Sequence, residues 1–326
     1  MLYVLGREKL DNWLAFLEKK ARLFVPGKEK FEPYQGNITF ESKPLLSPKE
    51  FFLPPREPML SFEVTPGAFP EKLSPSPDER IIFGVRACDA YALTLIKKVY
   101  QEDVFFSLRY KNTSLIGKAC LAESTDCFCW AMGIDPFSGS GLDLLFLEKD
   151  EKLLLKPITE KGKTLVPVEA KEALPEDKAL FNEIAKNFLK NKNPSPSLLR
   201  LKEKDLMTIY NASFWEKLSF ACLNCGICTF LCPTCYCFDV HDEVVGEKGL
   251  RIRVPDSCMF LLYTQHASGH NPRRSPLARF RNRFMHKFKY FLDEYGEPLC
   301  VGCGRCNTNC PAGINLWEII QAMGEV

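Results

Sequence analysis

The chain has almost no net charge, few histidines and no long apolar run. Its 326 residues carry a formal charge of +2, which gives no global case for nucleic acid or an anionic membrane surface. No apolar stretch approaches the roughly eighteen residues that a membrane span requires. The opening "MLYVLGREKLDNW" has neither a basic region ahead of an apolar core nor a twin arginine, so a soluble, cytoplasmic protein is expected. The recognisable catalytic arrangements are missing too. There is no G-x-G-x-x-G, since "GSGLDLL" at 139–145 lacks the spacing and a suitable preceding strand. No P-loop, Ser–His–Asp order or carboxylate pair stands out, so no catalytic residue is assigned. Cysteine, by contrast, is abundant: fifteen in a chain that is otherwise ordinary at 46% hydrophobic and 26% charged. Without a secretion signal the cysteine spacing favours metal or cluster binding, and the odd count argues against a purely paired disulfide framework.

Length allows two domains. Leu10, Leu14, Leu17, Ala21 and Phe24 recur at helical spacing up to Pro26 and Gly27. "LSFEV", "RIIFGV" (80–85) and "TSLIGKAC" read as strands, and "LDLLFLEKDEKLLLKPI" as a hairpin around Lys149–Glu151. A helix follows "RIIFGV", with Ala92, Leu95, Ile96 and Val99 as its stripe and Asp89 as its expected N-cap. The charged, Pro- and Ser-containing stretch 190–205 reads as a linker. The expected organisation is an α/β (or α+β) domain at 1–205, then an all-helical ferredoxin-like dicluster domain at 206–326.

Two motifs carry the chemistry. "CLNCGICTFLCP" (222–233) and "CVGCGRCNTNCP" (300–311) share the spacing C-x2-C-x2-C-x3-C-P. A short loop with a thiolate every third residue supplies three corners of an iron–sulfur cube, and the fourth cysteine ligates the other cluster. Gly226 and Gly304 let backbone N–H groups approach the sulfurs. On that logic one [4Fe–4S] cluster takes Cys222, Cys225, Cys228 and Cys310, and the other takes Cys300, Cys303, Cys306 and Cys232. Structural zinc prefers separate C-x2-C hooks. The residues between the motifs, 233–299, include an apolar helical stripe of Leu277, Phe280, Phe284, Phe288 and Phe291.

Four more cysteines, Cys88, Cys120, Cys127 and Cys129, lie in the N-terminal half, two of them at strand ends. Strand ends of an α/β sheet converge on one edge, and a helix start beside Cys88 favours thiolates. A third iron–sulfur cluster is expected there, with zinc or ordinary buried thiols as the alternatives. Cys235, Cys237 and Cys258 remain: either they hold a further metal with Asp239 or His241, or they fill the core. His266 and His270 in "QHASGHNP" are read as a hydrogen-bonded pair at a helix stop, with metal ligation the alternative. Arg273, Arg274, Arg279, Arg281, Arg283, Lys287 and Lys289 form a basic run with phenylalanines on one stripe. This suits offsetting of clusters or docking of a partner better than nucleic acid.

Taken in order, "FGVRACDAYAL", "CFCWAMG", "CLNCGICTFLCPTCYCFDV", "DSCM", "ASGHNP", "RNRFMHKFKYF" and "CVGCGRC" resemble a known family. It comprises the iron–sulfur electron-transfer subunits of cytoplasmic hydrogenases (sulfhydrogenase beta subunit) and their counterpart in anaerobic sulfite reductase. The resemblance runs from about residue 50 to the end and includes the four N-terminal cysteines and the extra thiols. It implies a relay between a flavoprotein diaphorase subunit carrying FAD and using NAD(P)H and a catalytic subunit. That catalytic subunit is a hydrogenase, a sulfite or sulfur reductase, or a heterodisulfide-reductase-like assembly. The competing expectation is a catalytic sulfur-compound reductase working at an N-terminal cluster.

Overall fold

The computed structural model describes every residue except 37, 39–42, 76–77 and 122–125. Two compact units divide the chain: Met1–Pro48 with Pro77–Pro194 and Val301–Cys303, and Lys49–Ser76 with Ser195–Cys300 and Gly304–Val326. Among the described residues the strands run β1 (Tyr3–Gly6), β2 (Arg22–Pro26), β3 (Phe31–Pro33), β4 (Glu57–Glu63), β5 (Glu71–Lys72) and β6 (Arg80–Val85). They continue with β7 (Thr113–Lys118), β8 (Leu144–Lys149), β9 (Lys152–Pro157), β10 (Lys171–Glu172), β11 (Phe238–Val245) and β12 (Lys248–Pro255).

The first unit is built on an eight-stranded mixed sheet ordered β10-β1-β9-β8-β7-β6-β2-β3. Its centre is parallel: β2 with β6, β6 with β7 and β7 with β8. These strands are nearly continuous runs of Ile, Leu, Phe and Val, the pattern of strands covered on both faces. Ile82, Phe83 and Phe146 are fully buried, and Trp13 meets Phe83 edge-on at 5.0 Å between ring centroids. The expected hairpin is present as β8 and β9, paired Leu147↔Leu154.

Two local expectations need correction. The first helix covers only Leu10–Glu18; Arg22–Pro26 is strand β2, in register with β6 at Leu23↔Ile81. Sheet pairing, which buries Leu23 and Val25, overrides the helical spacing read through Phe24. The helix after β6 spans Ala87–Val99 and its N-cap is Arg86, with no side-chain cap. Asp89 lies inside the first turn instead, where a carboxylate still complements the helix dipole.

The second unit holds helices and a four-stranded antiparallel sheet ordered β11-β12-β4-β5. It is therefore not all-helical. The alternating stretch 238–255 forms a hairpin across Gly246, whose φ of +62° suits the turn. Arg253 and Glu57, paired in the β12–β4 register, form a buried ion pair in which Arg253 Nε donates to Glu57 Oε2 over 2.7 Å. The phenylalanine stripe lies on a continuous helical stretch: Pro276–Met285, a π-helical turn His286–Tyr290, and Phe291–Tyr295. Phe280, Phe284, Phe288 and Phe291 are buried there as expected, and so are Arg279, Arg283, Lys287 and Lys289. Among the described residues no helix is long and apolar enough to cross a membrane.

Candidate iron–sulfur centres

The second unit gathers the first predicted thiol set around one cavity. Cys222, Cys225, Cys228 and Cys310 line it together with Cys306 of the second set, with Met259, Phe280, Phe284, Ile314 and Leu316 as apolar walls. Two left-handed residues, Asn224 (φ +53°) and Gly226 (φ +79°), wind the loop so that successive cysteines face the cavity. A Cβ on Gly226 would come within 2.8 Å of the Phe260 ring. The Ile314 N–H donates to Cys310 Sγ over 3.3 Å. Burial pushes the Cys222 thiol up, against the Asn224 N–H, and the neighbouring Cys228, Cys310 and Cys225 push it further. Crowded thiols that resist deprotonation are the donor set that cationic iron relieves. Arg283 lines the same cavity and its buried Nε has no hydrogen-bond partner. A buried guanidinium with an unpaired donor at an apolar, cysteine-lined space fits an anionic iron–sulfur group.

The second predicted set is divided. Cys232, Cys300 and Cys306 belong to the second unit, whereas Cys303 sits in the short segment Val301–Cys303 that packs with the first. Within the first unit Phe128 N donates to Gly302 O over 2.8 Å, and Lys43 Nζ donates to the Cys303 carbonyl. Gly302 has a φ of +57° and leaves no room for a Cβ beside the Phe128 backbone. In the second unit Lys287 Nζ donates to Cys232 Sγ (3.3 Å), Thr234 Oγ1 (3.0 Å) and Leu299 O (3.0 Å). Lys49 Nζ donates to the carbonyls of Cys232 and Cys235, each over 2.9 Å. Burial works against the Lys287 charge, but the neighbouring cysteines, Cys232 first, outweigh it and raise its pKa.

Cys235 has Cys232 as its hydrogen-bond partner. Its thiol donates to Cys232, which holds Cys232 as the thiolate with help from Lys287 and Arg283. Cys237 pairs with Cys258. The Cys258 thiol lowers Cys237 to about 6, aided by Tyr263, and Cys258 is pushed up in return. Asp239 and His241 are exposed on β11. His266 and His270 lie in an exposed turn with rings 5.4 Å apart.

In the first unit the parallel strands deliver Cys88 and Cys120 to the same end of the sheet. Cys88 is the second residue of the helix leaving β6, and Cys120 follows β7. Cys127 and Cys129 have sulfurs 4.0 Å apart. The Cys129 thiol is raised by its hydrogen bond to Cys127, by burial, and by the charges of Cys127, Cys88 and Cys120. The four thiols therefore act on one another, with the Arg86 guanidinium 4.0 Å from Cys120 Sγ. Burial raises Cys120, and Arg86 opposes it. Among the described residues no three His, Cys, Asp or Glu groups converge on a single metal ion. A cube carries its ligands on four separate irons, so its thiolates surround a group and not a point.

Sequence reasoning reads the basic run as offsetting the clusters, but does not show that Arg279, Arg283 and Lys287, every fourth residue of one helical stretch, are buried. Lys49 gave no signal at all, lying 183 residues from Cys232.

Comparison with known proteins agrees with the thiol pattern. Residues 221–314 match the 4Fe-4S dicluster domain family. The chain is thus an iron–sulfur protein of the dicluster class. Over 299 residues it is 32% identical to sulfhydrogenase 2 subunit beta of Pyrococcus furiosus, covering 87% of this chain and 84% of that protein. The chain belongs to the iron–sulfur hydrogenase beta-subunit family and is an electron-transfer protein of oxidoreductase systems. No solved structure gives a significant match.

Proposed function

We propose that the chain is the electron-relay subunit of a multi-subunit oxidoreductase. It holds two [4Fe–4S] clusters, on Cys222, Cys225, Cys228 and Cys310 and on Cys300, Cys303, Cys306 and Cys232, and a third on Cys88, Cys120, Cys127 and Cys129. The observation that carries this reading is the cavity lined by five cysteines of both motifs, Cys222, Cys225, Cys228, Cys306 and Cys310, with Arg283, whose buried Nε is unpaired, among its lining residues. Bound clusters supply one-electron storage. The chain's own residues hold them, exclude water from them and fix their surroundings. The helical dicluster module is proposed for the parts of the second unit that carry the two loops. The name of the relative, a sulfhydrogenase beta subunit, favours a hydrogenase-type catalytic partner, and a flavoprotein linked to NAD(P)H completes the relay. A soluble, cytoplasmic complex follows from that assignment.

Electrons enter the second unit most directly beside Cys225, an exposed cysteine. Leu223, Ile227, Phe230 and Phe260 around it are also exposed, and the last two rings are 6.0 Å apart. An uncharged apolar face over a cluster ligand suits a permanent subunit contact.

Iron and acid-labile sulfide analysis with electron paramagnetic resonance of the reduced protein tests the proposal. Stoichiometric zinc without sulfide would end it. Cys127→Ser should lower the iron content by one cluster's worth, and an unchanged content removes the third cluster. The rival, a sulfur-compound reductase, predicts turnover of sulfite or polysulfide by the isolated chain.

A further inference from the structure

We propose that Lys287 is a positioning residue that raises the reduction potential of the cluster on Cys232 above that of the cluster on Cys222, Cys225, Cys228 and Cys310. The Cys232 cluster is then where an electron rests within this pair. The inference depends on the ligand sets proposed above.

The argument begins with geometry. Lys287 is 2% exposed, and its three N–H groups are all committed, to Cys232 Sγ, Thr234 Oγ1 and Leu299 O. The ammonium is therefore fixed in place and is neither hydrated nor screened by salt. It sits in the π-helical turn His286–Tyr290, where Lys287, Phe288 and Lys289 are all buried in succession. Such turns are uncommon and concentrate at functional sites.

Reduction adds one electron to a cluster and makes and breaks no bond. The added negative charge is stabilised by a fixed cation and by an N–H donor on a ligand sulfur, so both raise the potential. Lys49 donates to the carbonyls of Cys232 and Cys235, with its pKa pushed down by burial, so Lys287 is the cation the proposal rests on. The other thiol set also has a buried cation, Arg283, at its cavity, but not one bonded to a sulfur. Its hydrogen bond to a sulfur comes from a backbone group, Ile314 N to Cys310 Sγ. Arg283 reaches the carbonyl of Cys228 and not its sulfur. Among the described residues no side-chain cation donates to a sulfur of that set.

The test is a dithionite titration of the full-length, cluster-loaded chain followed by electron paramagnetic resonance. In Lys287→Met one of the two C-terminal clusters should be at least tenfold less reduced at the wild-type midpoint. That corresponds to a fall of about 59 mV, with the other cluster unmoved and the iron content unchanged. Lys287→Arg should restore most of the shift. Lys287→Gln keeps a donor without the charge, so it gives the same reading if the methionine variant fails to fold. Unmoved midpoints, or midpoints that all move together, overturn the proposal. Cys232→Ser separates the two levels of inference: if it keeps both clusters, the ligand assignment has failed and the proposal falls with it. If it loses one while Lys287→Met moves nothing, only the proposal fails.

Discussion

Arg283 donates from Nη2 to the carbonyl oxygen of Cys228 over 3.0 Å, while its Nε stays unpaired at the wall of the thiol-lined cavity. Its guanidinium faces the charges of Cys228, Cys235, Cys306 and Cys232, which together hold its pKa up against burial. Arg283→Met removes a cation from beside Cys228 and Cys306, while Cys232 keeps Lys287. Breaking such a buried charge arrangement costs about 3–5 kcal/mol. The variant should purify with less iron and lose its visible absorbance faster in chelator, and Arg283→Lys should fall between it and the wild type. Equal bleaching rates would show that the thiolates need no cation there.

The Glu57–Arg253 pair joins a strand from early in the chain to one that follows the first cysteine motif, with both side chains buried. Removing either partner takes away the opposite charge of the other inside the unit. Glu57→Ala should lower the stability of the second unit by about 3–5 kcal/mol, and Arg253→Met by a similar amount. The double variant should be less destabilised than the two single losses combined, because neither charge of the pair is left behind. Denaturant midpoints of the four proteins decide this.

How much of this was legible depended on the range of each interaction. The C-x2-C-x2-C-x3-C-P loops declare themselves because three ligands must lie within one short turn, so sequence spacing is site geometry. The strand-end placement of Cys88 and Cys120 was readable for a related reason: β6 and β7 are apolar runs and the turns follow directly. What stayed hidden was long-range. Glu57 and Lys49 belong to a unit whose other residues begin at Ser195, and nothing local marks them. The hairpin of the second unit's sheet was missed because the helical pattern through Phe280, Phe284, Phe288 and Phe291 was extended across residues 238–255, where the residues themselves alternate. Cys235, Cys237 and Cys258 look like a trio in sequence, and spacing gives no sign that Cys235 has Cys232, and Cys237 has Cys258, as hydrogen-bond partner.

That pair has its own signature. Cys237 titrates near 6 because the Cys258 thiol donates to it, with Tyr263 assisting. The alkylation rate of Cys237 by iodoacetamide should rise with pH and reach half its plateau near pH 6. Cys258→Ser should move that midpoint upward, since a hydroxyl is a less acidic neighbour than the thiol it replaces. Mass-spectrometric mapping at short reaction times gives the rate. Protection of Cys237 across the whole range would instead show a metal held by these thiols.

His286 links stability to pH. Burial, then the charges of Lys287 and Arg273, lower its pKa from 6.5 to about 4, and its Nε2 lies 3.0 Å from the Tyr236 hydroxyl. The unfolded chain therefore binds a proton below pH 6.5 that the folded chain refuses until about pH 4. Between those limits the unfolded state holds more protons, so stability rises with pH. The contribution is complete above 6.5 and drains away as pH falls through 6.5 toward 4. From pH 7.5 to pH 5 it amounts to about 2 kcal/mol. His286→Gln keeps a partner for Tyr236 and removes the titration, so its stability should fall less over that interval by about the same 2 kcal/mol. Groups common to both proteins cancel in the comparison. Parallel losses in the two would assign the acid sensitivity to another residue.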